Sequence, residues 1–278
     1  MSTRMSVDFR DAGVVSAADR GFTYGDGLFE TLRVVHGVAP LWSRHAARLH
    51  EGCTRLRMPV PNIDAIHAEV VRLTAGLNDA AVRVTYSRGV GERGYAPPVN
   101  PRPTLVVAAS PLALDAGAST LGIVVRACGT PLATQPLLAG LKHLNRLEQV
   151  LARGEWSDPA IAEGLVCDME GNLVCATAAN VFAVFADELV TPPVDRCGVA
   201  GVARAEIMAL HPVREARMPL SQWLEADEVF LTSAVRGILP VRACEARTWQ
   251  PGPVTRALQA HWASLGLPSP YRAKDRDR

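Results

Sequence analysis

The chain has 278 residues, 48% of them hydrophobic, enough for a substantial core and for two modest domains. Its 29 Lys and Arg nearly balance 28 Asp and Glu, which argues against a nucleic-acid or membrane-surface partner, while a local arginine cluster still suits a small anionic substrate. The opening MSTRMSVDFRD has no apolar core of signal-peptide length, and no apolar run is long enough to span a bilayer, so a cytoplasmic protein is expected.

The elements follow from periodicity. Leu28 to Val35 reads as a strand, His36-Gly37 as a tight turn, and Val38 to Leu41 as the return strand of a hairpin. Trp42 to Arg57 has helical spacing, and Asn62 caps a second helix through Ile63, Ile66, Val70, Leu73 and Leu77. Val82, Val84 and Tyr86 alternate with Arg83, Thr85 and Ser87 as in a half-buried strand. Gly89 to Asn100 is a Gly/Pro-rich loop, and Thr104 to Ala109 is a strand. Residues 111–120 read as a linker. Then come a strand over Leu121 to Cys128 and a helix over Asn145 to Trp156. Two hairpins turn at 169–172 and 186–188, a helix opens at Gly201, strands cover Glu228 to Thr232 and Ile238 to Arg242, and a helix covers Val254 to Leu265. The fold class is α/β of the α+β kind, with mixed, mainly antiparallel sheets. It comprises an N-terminal domain over 1–110, a larger domain over 121–268 and a charged tail over 269–278 expected to be disordered.

Six cysteines are scattered without a CxxC pair, and the seven histidines form no HExxH spacing. Neither a disulfide framework nor a metal site is expected.

Lysine usage is sharper. Only two of the 29 basic residues are lysines, Lys142 and Lys274, and Lys274 lies in the charged tail. Lys142 sits in the apolar stretch Leu138-Ala-Gly-Leu-Lys-His-Leu-Asn. A desolvated lysine becomes a neutral amine nucleophile, which arginine cannot do; the plainer alternative is a snorkelling surface residue. Arg48 falls among the apolar positions of its helix and needs an anion there, either a ligand or an acidic side chain. Gly198-Val-Ala-Gly-Val before a helix, and Thr232-Ser-Ala after a strand, offer backbone N–H groups of the kind that bind phosphate, or are plain turns.

Asp19-Arg-Gly-Phe-Thr-Tyr-Gly-Asp-Gly-Leu-Phe-Glu-Thr-Leu-Arg, His45-Ala-Ala-Arg-Leu and Gly140-Leu-Lys-His-Leu-Asn-Arg-Leu-Glu-Gln-Val-Leu, in that order, resemble the class IV (fold type IV) pyridoxal-phosphate enzymes. The resemblance spans roughly residues 5 to 265. The stretch from Lys142 to Leu151, and Ser87-Arg-Gly-Val-Gly-Glu-Arg-Gly-Tyr, are similar to the lyase branch, which cleaves 4-amino-4-deoxychorismate to 4-aminobenzoate and pyruvate. The resemblance implies a two-domain fold and pyridoxal 5'-phosphate as cofactor. It also implies a homodimer with its sites near the subunit interface. Lys142 would carry the Schiff base and shuttle protons, with Thr31 as the active-site hydroxyl. Arg48, the backbone of Gly201, Val202 and Ala203, and the Ser233-Ala234 turn would hold the phosphate, with Asn180 near the ring. Arg93, Tyr95 and Arg146 would meet the substrate carboxylates.

Two places depart from the family pattern. Cys175 stands where a Glu usually faces the pyridine nitrogen, unless it is simply a small buried apolar residue. The ring-contacting Tyr of the aminotransferase branch falls on Arg146 or Leu147. A D- or branched-chain aminotransferase is therefore the second expectation, and a non-catalytic cofactor-binding protein the third.

Overall fold

The computed structural model describes residues 3–11 and 13–267. The expected disordered tail, with Lys274, and residue 268 lie outside them. Two units emerge, one containing residues up to 113 together with 141–145, the other 114–140 and everything from 146 onward.

In chain order the first unit holds β1 (Arg4–Val7), α1 (Arg20–Tyr24), β2 (Gly27–Val35), α2 (Trp42–Arg55), α3 (Ile63–Thr74), β3 (Asp79–Ser87) and β4 (Thr104–Pro111). Its sheet runs β1-β4-β3-β2, antiparallel throughout. Period-2 alternation puts Leu28, Leu32 and Val34 of β2 on one face with Val82 and Val84 of β3. Helical spacing turns Leu49 and Cys53 of α2, and Ile66, Val70 and Leu73 of α3, into the same core. Asn62 caps α3 as expected, its Oδ1 accepting the Ala65 N–H at 3.0 Å.

The return strand expected over Val38 to Leu41 does not form. Val38 makes one antiparallel bridge with Val35 and the ladder goes no further, while β2 pairs along its whole length with β3 on its other side. Pro40 has no N–H to extend a ladder, and the chain must turn into α2 two residues later.

The second unit holds α4 (Ala116–Leu121), β5 (Ile123–Ala127), α5 (Leu147–Arg153), β6 (Ile161–Cys167), β7 (Leu173–Ala176), β8 (Asn180–Phe185), β9 (Glu188–Thr191), α6 (Val202–Leu210), β10 (Arg214–Glu215), α7 (Leu220–Trp223), β11 (Glu228–Ser233), β12 (Gly237–Cys244), β13 (Arg247–Thr248) and α8 (Pro253–Ser264). Among the described residues its strands form one sheet in the order β10-β9-β8-β11-β12-β5-β6-β7, with β13 on β12. The pairs β9/β10, β5/β12 and β5/β6 are parallel and the others antiparallel. Both expected hairpins are present, β6/β7 and β8/β9, the second turning through Ala186 and Asp187 at φ 45° and 74°.

Within residues 111–120, expected as a linker, α4 begins, capped by the Asp115 carboxylate on the Gly117 N–H at 2.8 Å. The helix expected from Asn145 starts only at Leu147, and Asn145 is instead fastened through its side chain to the Gly25 carbonyl. The short elements β1, α1, α7, β10 and β13 were not signalled by periodicity, being too brief to show one.

The core of this unit gathers around Trp223, Val229, Leu231, Val181 and Val241. Phe182 and Phe230, cross-strand partners on β8 and β11, stack with centroids 5.3 Å apart. Glu228 of β11 is buried, yet its carboxylate is fully employed at the start of α8. It accepts the Val254 and Thr255 N–H groups at 3.0 and 2.9 Å and the Thr255 hydroxyl at 2.6 Å. A carboxylate at a helix N-terminus satisfies donors that otherwise lack partners and complements the dipole. Glu228→Ala is expected to cost about 2–3 kcal/mol, from buried donors left unpaired, read as a lower midpoint in urea unfolding.

Candidate active site

In the first unit the decisive contact is between backbones. β2 is an edge strand, and residues 142–144 lie along its open side. Phe29 N–H donates to the Lys142 carbonyl at 2.9 Å and Leu144 N–H to the Gly27 carbonyl at 3.0 Å, around an antiparallel bridge between Leu28 and His143. Asn145 finishes the attachment by donating from Nδ2 to the Gly25 carbonyl at 3.0 Å. Two glycines lie in the crowded stretch around it. A Cβ on Gly25, which has φ +67°, would sit 2.6 Å from Asn145 Oδ1, and one on Gly27 would sit 2.6 Å from the Tyr86 carbonyl oxygen.

This register sets Lys142 opposite Phe29, and its Nζ lies 4.3 Å from the centre of the Phe29 ring. The Arg83 guanidinium carbon lies 3.9 Å from that same centre. Thr31, two positions along, shares this face of β2 and pairs across the sheet with Arg83. Lys142 is thus held at a half-buried position over an aromatic ring rather than left on a mobile surface arm.

Arg48 meets its anion on the other face of β2. Glu30, 3% exposed, accepts from Arg48 Nε at 2.7 Å, from a second Arg48 nitrogen, and from His45 Nδ1 at 2.7 Å. Burial alone would raise the Glu30 carboxyl, but the charge of Arg48 and the hydrogen bonds from Arg48 and His45 outweigh it and hold the group at about 2. Burial pushes His45 below its ordinary range, against the pull of Glu30, so the ring is neutral at neutral pH. Because a carboxylate only accepts, Nδ1 carries the proton and Nε2 is the bare acceptor; Nε2 is buried without a partner among the described residues. Glu30 was not singled out from the sequence. The available signal was a charged residue in the inward-facing series Leu28, Glu30, Leu32.

Arg93 and Tyr95 stand on the exposed 89–100 loop, with Tyr95 87% exposed. The loop is held by Arg20, which donates to the Gly94 and Tyr95 carbonyls at 3.0 and 3.1 Å, and by Tyr24, whose ring packs edge-on against Tyr95. No described contact joins Arg93 or Tyr95 to Lys142.

In the second unit the expected phosphate elements cluster. Asn180 begins β8, and its Nδ2 donates to the Val199 carbonyl at 2.9 Å. A Cβ on Gly201 would fall 1.9 Å from Asn180 Oδ1, so only glycine fits there. Gly201 caps α6 without any side-chain bond to its first N–H groups, and Val202 and Ala203 are buried. Strand β11 runs one residue further than expected, placing Ser233 on its last position ahead of Ala234. Thr232 pairs with Asn180 across the sheet, and its buried Oγ1 has no partner among the described residues. An uncapped helix start beside an unsatisfied buried hydroxyl fits a phosphate group. Thr232 Oγ1 was visible in the sequence only as part of a Ser/Thr turn.

Cys175 lies on β7, 6% exposed, packed with Leu132, Ala152, Val166, Val174 and Cys197. Burial pushes its thiol up to about 12, so it is neutral and supplies no negative charge. Arg146 directly precedes α5, half-buried, with burial lowering it to about 10. All six cysteines are free thiols. Among the described residues no metal-ligating cluster occurs, and no helix is long and apolar enough to cross a membrane.

Comparison with known proteins bears on these features. The model of the class IV amino-transferase family matches residues 27–244. The aminodeoxychorismate lyase of Vibrio harveyi is 32% identical, over 89% of this chain and 95% of its own. A putative branched-chain-amino-acid aminotransferase of Methanocaldococcus jannaschii is also 32% identical, covering 93% of each. The crystal structure of 4-amino-4-deoxychorismate lyase from Pseudomonas aeruginosa superposes with a TM-score of 0.88 at 44% identity, over 94% of this chain and 98% of that one.

Removing the buried carboxylate that pairs Arg48 should be costly. Glu30→Ala is expected to lose about 3–5 kcal/mol of unfolding free energy at neutral pH, since it strands a buried cation. For the wild type, the folded state of Glu30 binds its proton only near 2 against an ordinary 4.5. Its contribution is therefore present above 4.5 and lost as pH falls towards 2. Urea midpoints measured across that window should fall for the wild type and flatten for Glu30→Ala.

Proposed function

The chain belongs to the class IV aminotransferase family, and within it we propose that it is a pyridoxal 5'-phosphate-dependent lyase converting 4-amino-4-deoxychorismate to 4-aminobenzoate and pyruvate. The observation that carries this reading is the clamp of residues 142–145 on β2, which fixes the one described lysine, Lys142, over Phe29 with Thr31 on the same face. The 44% identity to the Pseudomonas aeruginosa lyase supports the same choice.

The reaction needs a ring C–H to give up its proton and the C–O bond to the enolpyruvyl group to break, with a proton returned to the departing carbon as pyruvate. No oxidant or reductant enters. Bound pyridoxal phosphate supplies covalent attachment for the substrate amine and an electron sink for the charge left by the departing proton. Lys142 would provide the amine that holds the cofactor, and as a free amine it would take the ring proton and deliver it to the leaving group. Thr31, on the Lys142 side of β2, offers a hydroxyl to hold that proton or orient the leaving oxygen. Arg48, the first N–H groups of α6 at Val202 and Ala203 beyond Gly201, Ser233, Ala234 and Thr232 are the groups proposed to bind the phosphate, with Asn180 beside the ring.

Arg93, Tyr95 and Arg146 are proposed for the substrate carboxylates. Arg93 and Tyr95 stand exposed, which suits a contribution to the site of a second copy in a homodimer, and the reading places that dimer in the cytoplasm.

Cys175 favours the lyase over an aminotransferase. A neutral thiol does not keep the pyridine nitrogen protonated, and so leaves a weaker electron sink. Formation of an aromatic product supplies driving force that transamination lacks. The Methanocaldococcus relative keeps an amino-acid aminotransferase as the second reading.

Pyruvate and 4-aminobenzoate should appear in equal amounts from 4-amino-4-deoxychorismate, and Lys142→Ala should lose at least about 10³-fold in turnover together with the visible absorption of the lysine-bound cofactor. A cofactor-loaded wild type that forms neither product overturns the lyase reading. Cys175→Glu should raise transamination of amino donors about tenfold or more while changing lyase turnover by less, read in parallel keto-acid and 4-aminobenzoate assays.

A further inference from the structure

Glu163 is almost fully buried, 3% exposed, on β6. Its two oxygens go to two different turns. Oε2 accepts the hydroxyl of Thr177, and Oε1 accepts a guanidinium N–H of Arg236. Thr177 starts the turn joining β7 to β8, closed by the Ala176 N–H on the Ala179 carbonyl at 2.8 Å and tied to β6 by the Thr177 N–H on the Gly164 carbonyl at 3.0 Å. That turn delivers Asn180. Arg236 ends the turn joining β11 to β12, and its own N–H donates to Ser233 Oγ at 3.1 Å. Strands β8 and β11 are neighbours, with Asn180 opposite Thr232. Both turns therefore lie at the same end of adjacent strands, and one carboxylate ties them together.

We propose that Glu163 is a positioning residue, which sets the two turns that present Asn180 and the Ser233-Ala234 pair to the cofactor. This rests on the cofactor-binding reading above. A buried ion pair is seldom worth its desolvation as a packing device, because apolar residues of similar volume serve as well. What the pair adds is geometry: a carboxylate with two directional bonds allows the turns one relative placement. It also settles the chemistry of Ser233. With Oγ accepting the Arg236 N–H, the remaining hydroxyl hydrogen is the one available to donate to an anion. Arg236 itself is neutralised by Glu163 and so adds little net charge to the phosphate end. Its part is to carry the constraint from β6 to the turn.

The test loads wild type, Glu163→Gln, Thr177→Val and Arg236→Lys with pyridoxal 5'-phosphate. It follows cofactor release by loss of the visible band, the phosphorus NMR resonance of the bound phosphate, and the thermal midpoint of the cofactor-free form. Glu163→Gln and Thr177→Val are expected to speed release about tenfold, the scale of one lost hydrogen bond, and to move the phosphorus resonance. Arg236→Lys, which keeps a cation for Glu163, is expected to stay nearer the wild type. Should Glu163→Gln fail to fold, Thr177→Val, which removes a single hydroxyl, carries the same comparison. Unchanged release and an unmoved resonance, with only a lower thermal midpoint, overturn the proposal and leave Glu163 a stabilising residue. A wild type that shows no visible band overturns the cofactor-binding reading itself, and this inference with it, whereas a normal wild-type band with unaltered variants overturns this inference alone.

Discussion

Much of the candidate chemistry depends on one short backbone pairing, the attachment of residues 142–144 to the outer edge of β2. Hydrogen bonds between main chains are indifferent to side-chain identity, so they leave Lys142 free to be chosen for reactivity. They also fix its position to within the precision of a sheet ladder. The cost is steric. A side chain at Gly25 would collide with Asn145, and one at Gly27 would meet the β3 backbone at Tyr86 and the Leu144 side chain. Glycine at position 25, just ahead of β2, is thus a condition under which Asn145 can fasten the lysine segment there.

β2 separates two kinds of chemistry by its pleat. Phe29 and Thr31 face Lys142, an environment of a ring, a hydroxyl and an amine. Glu30 faces inward, where it accepts from both Arg48 and His45. Alternation in a strand thus places reactive and organising groups side by side in sequence and on opposite faces in space. The second unit does the same with separate strands: β8 and β11 bring Asn180 and Thr232 together, and Glu163 on β6 governs the turns around them.

What could be read from the sequence divides along the range of the interactions. Lys142 stood out because the chain writes almost every other cation as arginine. Strands β2, β3, β8 and β11, helix α3 and the start of α6 at Gly201 were legible because periodicity, an Asn cap or a glycine is a local signal. Residues Val38 to Leu41 looked like a hairpin return, but the pairing stops at one Val35–Val38 bridge because Pro40 has no N–H to extend it. Arg48 needed an anion, and Glu30 meets two of its nitrogens across 18 residues, which no local pattern shows. The Thr177–Glu163–Arg236 link spans 73 residues at its longer arm, and nothing in local pattern marks it. Arg93 and Tyr95 were legible as residue types, yet their placement is set by Arg20 and Tyr24, which periodicity does not connect to the loop.

The pairing on β2 has a further consequence, for solubility. A long apolar strand with an open side is a template for association with other chains, and proteins protect such edges by covering them. Here the cover over Gly27 to Phe29 is the lysine segment itself. A substitution that loosens residues 141–145 would therefore expose the edge of β2 as well as displace the amine. Loss of the reactive group and a tendency to aggregate would then share one cause.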